Sequence, residues 1–181
     1  MRELSLHILD IVQNSVVAGA DLITILINED IKNDNLSILI EDNGCGMSPE
    51  MVKKVRDPFV TTRTTRKVGM GISLFESAAV ACDGHLDLES EVGKGTKITA
   101  YFKHSHIDRM PIGDMAQTYA MLAGGNLDID FVYTHIINGN EFVIDTRELK
   151  NILGEVPLDS PDVLVWIRDY INEGINNLQE V

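Results

Sequence analysis

Apolar residues return at helical spacing from the start of the chain. Leu4, Ile8, Ile11, Val12 and Val16 share one face, which predicts a helix over residues 3–18 that stops at Gly19. His7, Asp10 and Asn14 stand three and four apart and form one polar stripe on that helix. The period then changes to two: Ile23, Ile25 and Ile27 alternate through a predicted strand at 22–28. Residues 30–35 read as a polar turn and 36–41 as the next strand, followed directly by the glycine-bearing run Asp42 to Met47. Ser48 as N-cap, with Pro49 in the first turn, opens a short helix. Residues 57–68 are polar and threonine-rich and read as a loop. Residues 72–82 read as a helix ending at Gly84, and 85–91 and 97–102 as strands joined by a turn at 93–95. This order predicts an α+β fold, a two-layer sandwich with a mixed sheet and helices on one face.

The pattern changes at 103–113, so residues 1–103 are expected to form one domain and 104–181 a small C-terminal α+β extension. In the extension, 113–122 reads as a helix closed by Gly124-Gly125. Residues 130–136 and 141–144 read as a hairpin over Asn138-Gly139, a strong two-residue turn signal. Thr146 is the expected cap of a helix to Leu153, and Ser160-Pro161 starts a last helix. Its apolar face comprises Val163, Leu164, Ile167, Tyr170, Ile171, Ile175 and Leu178, with Trp166 at the edge. That face reads as a core contact; an exposed Trp166 would instead mark an interface, with a partner or between two copies in a homodimer.

Composition narrows the function. The chain has 181 residues, is 44% hydrophobic and carries a formal net charge of −13, which argues against nucleic-acid and anionic-membrane surfaces. Within this acidic chain Arg63, Arg66 and Lys67 form a local cationic patch suited to a polyphosphate. Two cysteines make no disulfide framework, and neither a secretory leader nor an 18-residue apolar run is present, so a cytoplasmic location is expected. No G-x-x-x-x-G-K-[ST] phosphate loop occurs. Cys45 reads as a small residue that fits its loop, and His104-x-His106 more as structural than as a metal site.

Four separated stretches carry a resemblance: D-I-V-Q-N-S-V-V-A-G-A at Asp10 to Ala20, E-D-N-G-C-G-M at Glu41 to Met47, P-F-V-T-T-R at Pro58 to Arg63 followed by G-M-G-I-S-L from Gly69, and G-K-G-T at Gly93 to Thr96. Over roughly residues 3–102 the chain resembles the ATP-binding domains of the gyrase, heat-shock chaperone, histidine kinase and MutL superfamily. The first stretch is close to the MutL version, and the later ones look more like the histidine-kinase version. The resemblance implies ATP and Mg²⁺ as cofactors. It makes Asn14 the Mg²⁺ ligand and Asp42 the acceptor for the adenine amino group. Gly44 and Gly46 would let the backbone bend around the base, Met47 would pack on it, and Ala18 and Thr96 would support it. Asn43 could cap locally or reach the phosphate side. Residues 58–68 would form the lid, with Thr62, Arg63, Lys67 and Val68 toward the phosphates. Gly69, Met70 and Gly71 would open the following helix and offer backbone N–H groups to phosphate. Asp10 occupies the place of a catalytic glutamate and is one methylene shorter, which leaves it either a general base or a polar lining residue. His7 could orient Asp10 or be structural.

A sensor histidine kinase needs a phosphoacceptor histidine on a helical hairpin ahead of the ATP domain, and a MutL- or gyrase-type motor needs a long transducer behind it. Neither pattern fits the stretches that flank residues 10–103. The expectation is a stand-alone Mg-ATP-binding protein that transfers the γ-phosphate to a partner protein or controls that partner through nucleotide state. The alternatives are a non-catalytic ATP-dependent regulatory module and, after it, a MutL-like ATPase.

Overall fold

The computed structural model describes residues 2–57, 59 and 68–181. The helices are α1 (Leu4–Val17), α2 (Pro49–Arg56), α3 (Val68–Val80), α4 (Met115–Gly125), α5 (Thr146–Leu153) and α6 (Pro161–Gln179). The strands are β1 (Leu22–Asp30), β2 (Asn35–Asp42), β3 (His85–Glu91), β4 (Gly95–Lys103), β5 (Asp130–Ile137) and β6 (Asn140–Asp145). They form one mixed sheet in the order β3-β4-β2-β1-β5-β6, in which β1 and β5 run parallel and all other neighbours antiparallel.

The alternation in the sequence decides which sheet face is covered. Ile23, Ile25 and Ile27 of β1, Leu36, Ile38 and Ile40 of β2, and Phe131 and Tyr133 of β5 are all buried, whereas the residues between them are partly exposed. One face therefore carries the helices and the other stays open, as the two-residue period requires. The covered face meets Leu4, Ile8, Ile11 and Val12 of α1, Phe75 of α3, Tyr119 of α4, and Ile167 and Ile171 of α6 in one continuous core.

The strands after residue 103 continue this same sheet. β5 lies beside β1, and the β5–β6 turn has Asn138 at φ 47° and Gly139 at φ 86°, the two positive values of a tight hairpin. The Asn138 Oδ1 accepts from the N–H groups of Ile31 and Lys32, tying the two adjacent turns. At the other end, the N–H groups of Leu4 and Ser5 donate to the carbonyls of Pro111 and Ile112 at 2.9 and 2.7 Å. Those are first-turn donors that α1 cannot satisfy itself, and Glu3 makes no side-chain cap to them. A partly buried chain links the Tyr133 hydroxyl to His135 and both His135 and His104 to the Glu29 carboxylate, at 2.7, 2.7 and 2.8 Å. His104 is thus a partner of Glu29, and among the described residues no group of three or more His, Cys, Asp or Glu is placed so as to hold a metal ion.

Several expected boundaries shift. α3 begins at Val68, so Gly69, Met70 and Gly71 form its first turn instead of leading into it. α4 begins at Met115, where Asp114 caps it by accepting from the Gln117 N–H, and both Gly124 and Gly125 lie inside that helix. A Cβ at Gly124 would stand 2.9 Å from Leu164, so the glycine allows α6 to approach. Asp145 caps α5 through the Arg147 N–H, while Thr146 is fully buried: its hydroxyl accepts from the Phe131 N–H and donates to Asp130. The short side chain of Asp145 reaches the second N–H of the turn, and the Thr146 hydroxyl is spent on a strand donor that β6 no longer covers. Among the described residues, no helix is long and apolar enough to cross a membrane.

Candidate functional site

A cavity of about 440 Å³ opens where α1, α3, β4 and the loop after β2 converge. The loop's path follows from its glycines. At Gly44 a Cβ would sit 2.9 Å from the Ala18 Cβ and from its carbonyl oxygen. Gly46 has φ +68°, and a side chain there would run into the Glu91 carbonyl. The Cys45 N–H donates to the Ala18 carbonyl at 2.9 Å, and the Cys45 carbonyl accepts from the Gly93 N–H at 2.8 Å. The loop is thereby pinned between the end of α1 and the β3–β4 turn. Asn43 takes the capping role of the two open to it: its Oδ1 accepts from the Asp21 and Leu22 N–H groups at 3.0 and 3.1 Å.

Asp42 stands at the end of β2 with both carboxylate oxygens held. Oδ2 accepts from the Ser15 hydroxyl at 2.6 Å, and Oδ1 accepts from the Gly44 N–H at 2.9 Å. Each oxygen keeps a further lone pair for a ligand donor. The surrounding walls are apolar, from Ile11, Ile40, Met47, Ile72 and Ile98. A charged oxygen in such a setting is costly unless hydrogen-bonded, and the two donors offset that cost. Opposite Asp42 in register is Thr96 on β4. Its hydroxyl lies 2.8 Å from the Ser90 Oγ, which donates to the Gly95 carbonyl and accepts from the Met47 N–H. Ser90 has one proton, and the Gly95 carbonyl takes it, so Thr96 is the donor of that pair.

Of the residues expected at the site, Asn14, Ala18, Asp42, Gly46, Met47 and Thr96 line the cavity. Asp10 and Gly71 do not line it but meet beside it, where α1 faces α3. A Cβ at Gly71 would lie 3.6 Å from the Asp10 Cβ and 3.8 Å from the Asn14 Nδ2, ordinary contact distances, so the first turn of α3 packs directly on this stretch of α1. Gly44 braces the loop from outside the lining. Met70 is half exposed and outside the lining. Val68 and Gly69 belong to the first turn of α3, and Thr62, Arg63 and Lys67 lie outside the described residues. His7 takes its structural role: it is buried and stacks on Phe75 at 5.4 Å, its Nδ1 has no hydrogen-bond partner, and burial pushes its pKa below the usual value.

Sequence reasoning missed Ser15 and Ser90, the two hydroxyls that fix the polar end of the cavity. Ser15 had left a signal, because it interrupts the apolar face built by Ile8, Ile11 and Val12 with a small polar residue. Ser90 had left none, since its partners come from across β4 and from the loop after β2.

Residues 2–106 match the sequence profile of a family described as histidine kinase-, DNA gyrase B-, and HSP90-like ATPase. A sensor protein of Shewanella frigidimarina is 32% identical over 97 residues, which cover 52% of this chain and 15% of that protein. The signal transduction histidine-protein kinase AtoS of Escherichia coli is 38% identical over 63 residues, covering 35% of this chain and 10% of the kinase. The sensor protein kinase FleS of Pseudomonas aeruginosa is 33% identical over 92 residues, covering 51% and 23%. The chain thus spans less than a quarter of the length of each of these relatives. Among solved structures, the N-terminal domain of a DNA repair protein superposes with a TM-score of 0.58 at 17% identity, covering 80% of this chain and 52% of that one. The Aquifex aeolicus MutL ATPase domain complexed with ADP superposes with a TM-score of 0.50 at 15% identity, covering 84% and 69%. At such identities the likeness is one of fold.

Proposed function

Because the chain belongs to the histidine kinase-, DNA gyrase B-, and HSP90-like ATPase family, we propose that its cavity binds Mg²⁺-ATP and that the γ-phosphate passes to a partner protein. One observation carries the nucleotide reading: a doubly held carboxylate at the polar end of an otherwise apolar slot. Such a slot suits a flat base with one exocyclic donor. Asp42 accepts from the adenine amino group, while Ile40, Met47 and Ile98 cover the faces of the ring. Adenine presents an amino group where guanine presents a carbonyl, so the carboxylate selects for it.

The residues at the other end suit a charged tail. Asn14 lines the cavity one turn after Asp10, and its amide oxygen is a hard ligand of the kind Mg²⁺ accepts alongside waters. The first-turn N–H groups of α3 lack partners within the helix, and they bear the positive end of its dipole. Thr62, Arg63 and Lys67 are assigned to the phosphates from the sequence alone. Bound here, the nucleotide would supply a transferable phosphoryl group, with Mg²⁺ offsetting its charge. Asp10, packed against Gly71, would take the proton of the attacking hydroxyl or water.

The test is equilibrium dialysis of the purified chain with γ-labelled ATP, with and without Mg²⁺, followed by incubation in extract from its own organism. Binding strengthened by Mg²⁺, with that gain lost in Asn14→Ala, is the expected result. Label recovered on protein supports transfer. ATP recovered intact and tightly bound supports the regulatory module instead. No binding under either condition defeats the site.

A further inference from the structure

The outward stripe of α6 carries chemistry that the nucleotide cavity leaves unused. Val163, Ile167, Ile171 and Leu178 anchor the helix in the fold. On the opposite side Asp162, Trp166, Asp169, Tyr170 and Glu173 follow at i, i+4, i+7, i+8 and i+11, which places them along one face, and all five are exposed. Trp166 and Tyr170 are 50% and 41% exposed, and their rings stack at 5.0 Å with planes 8° apart. Tyr170 also leans on Phe142 of β6 at 5.3 Å, and Gly174 leaves room for the Phe142 ring beneath the helix. The aromatic pair is therefore held in place from below while its outer surface faces water. β6 is the last strand of the sheet, so the stripe adjoins an unpaired edge.

The charge around these rings is one-sided. Residues 104–181 hold thirteen Asp and Glu against four Lys and Arg, the larger part of the net −13. Among the described residues of this segment, Asp145 and Asp130 alone have cationic partners, in Arg147 and Lys150. Among the described residues, Asp162, Asp169 and Glu173 form no ion pair. Two exposed aromatic faces bordered by three uncompensated carboxylates match one side chain above others. A guanidinium lies flat on Trp or Tyr and gives a forked pair of hydrogen bonds to a carboxylate. We propose that this stripe docks an arginine-bearing segment of a partner protein. A second copy of the chain fits poorly, because it would bring identical acidic stripes face to face. Nucleic acid and anionic lipid carry the wrong sign.

Trp166 is the only tryptophan of the chain, so its fluorescence reports on this face and on no other. The experiment titrates the full chain, without nucleotide, with a synthetic arginine–leucine peptide and with a glutamate–leucine control. Its result is therefore independent of the ATP reading. The expected result is a saturable change in Trp166 emission with the arginine peptide alone. Joint replacement Asp169→Asn and Glu173→Gln should weaken it about tenfold, as should Tyr170→Ala, since truncating an aromatic or charged anchor costs on this scale. These side chains are exposed, so the variants should fold. Neutralising Asp87 and Glu89, exposed on β3, should change affinity less than about twofold, because charges beyond a Debye length are screened. Equal losses from both pairs of substitutions would reduce the effect to general attraction and overturn the proposal. Absence of a saturable change would also overturn it, as would a dimer in sedimentation that Trp166→Ser abolishes.

Discussion

Replacing Asp42 by asparagine changes one atom and tests the adenine assignment directly. Ser15 lines the cavity and Gly44 does not, so the edge of the carboxylate beside Ser15 is the one presented to a ligand. In the variant the Gly44 N–H still requires an acceptor, which orients the amide with its oxygen toward Gly44 and its NH₂ toward Ser15. The Ser15 hydroxyl can rotate and accept from that NH₂. Both local bonds then survive as neutral ones, and the fold should lose no more than about 1 kcal/mol, or roughly 2–4 °C in Tm. The ligand meets something different: an NH₂ donor now faces the adenine amino donor. The loss is that of a hydrogen bond to a charged group, about 1.5–3 kcal/mol, or roughly ten- to hundredfold in Kd. Isothermal titration with ATP and with inosine triphosphate reads this out. The inosine carbonyl can accept from the new NH₂, so the preference for ATP should shrink along with the affinity. An ATP affinity within about twofold of the native chain, with the preference unchanged, would refute the reasoning.

Three other outcomes follow from the same geometry. Gly46→Ala should abolish nucleotide binding and destabilise the loop, because φ +68° disfavours a side chain and the Glu91 carbonyl occupies its place; dialysis and thermal melting would show both. Thr146→Val should cost about 1–3 kcal/mol in urea denaturation, since it leaves the buried Phe131 N–H without its acceptor, while ATP binding should change little, because neither Thr146 nor Phe131 lines the cavity. His7 has a lowered pKa in the fold, so below about pH 6.5 the unfolded chain takes up a proton that the native state refuses. Stability should therefore fall as pH drops from 7 to 5, and His7→Phe, which keeps the stack on Phe75, should flatten that decline in melts across the range. Glu29 acts in a lower window. Burial pushes its pKa up, but the hydrogen bonds from His135 and His104 outweigh that and leave it lowered, so its contribution is present above about pH 4.5 and lost beneath.

Much of this fold can be read along the chain because its periods are local properties. Ile23, Ile25 and Ile27 announce a half-buried strand, Asn138-Gly139 announces a hairpin, and Ser48-Pro49 announces a helix start; each is satisfied within a few residues of itself. The polar end of the cavity was half legible for the same reason. Asp42, Gly44, Gly46 and Met47 form one contiguous run whose glycines have a conformational purpose.

Sequence alone therefore determined the kinds of elements, their order and the acidic character of the molecule, since propensity, side-chain period and charge belong to neighbours in the chain. Only the tertiary structure decided that Ser15 clamps Asp42 from 27 positions away, that Ser90 links Thr96 to the loop after β2, that β5 joins the first sheet beside β1, and that Trp166 faces water. Those outcomes depend on which surfaces meet when the helices close over one face of the sheet. No local pattern encodes a hydrogen bond between residues that become neighbours only through that packing.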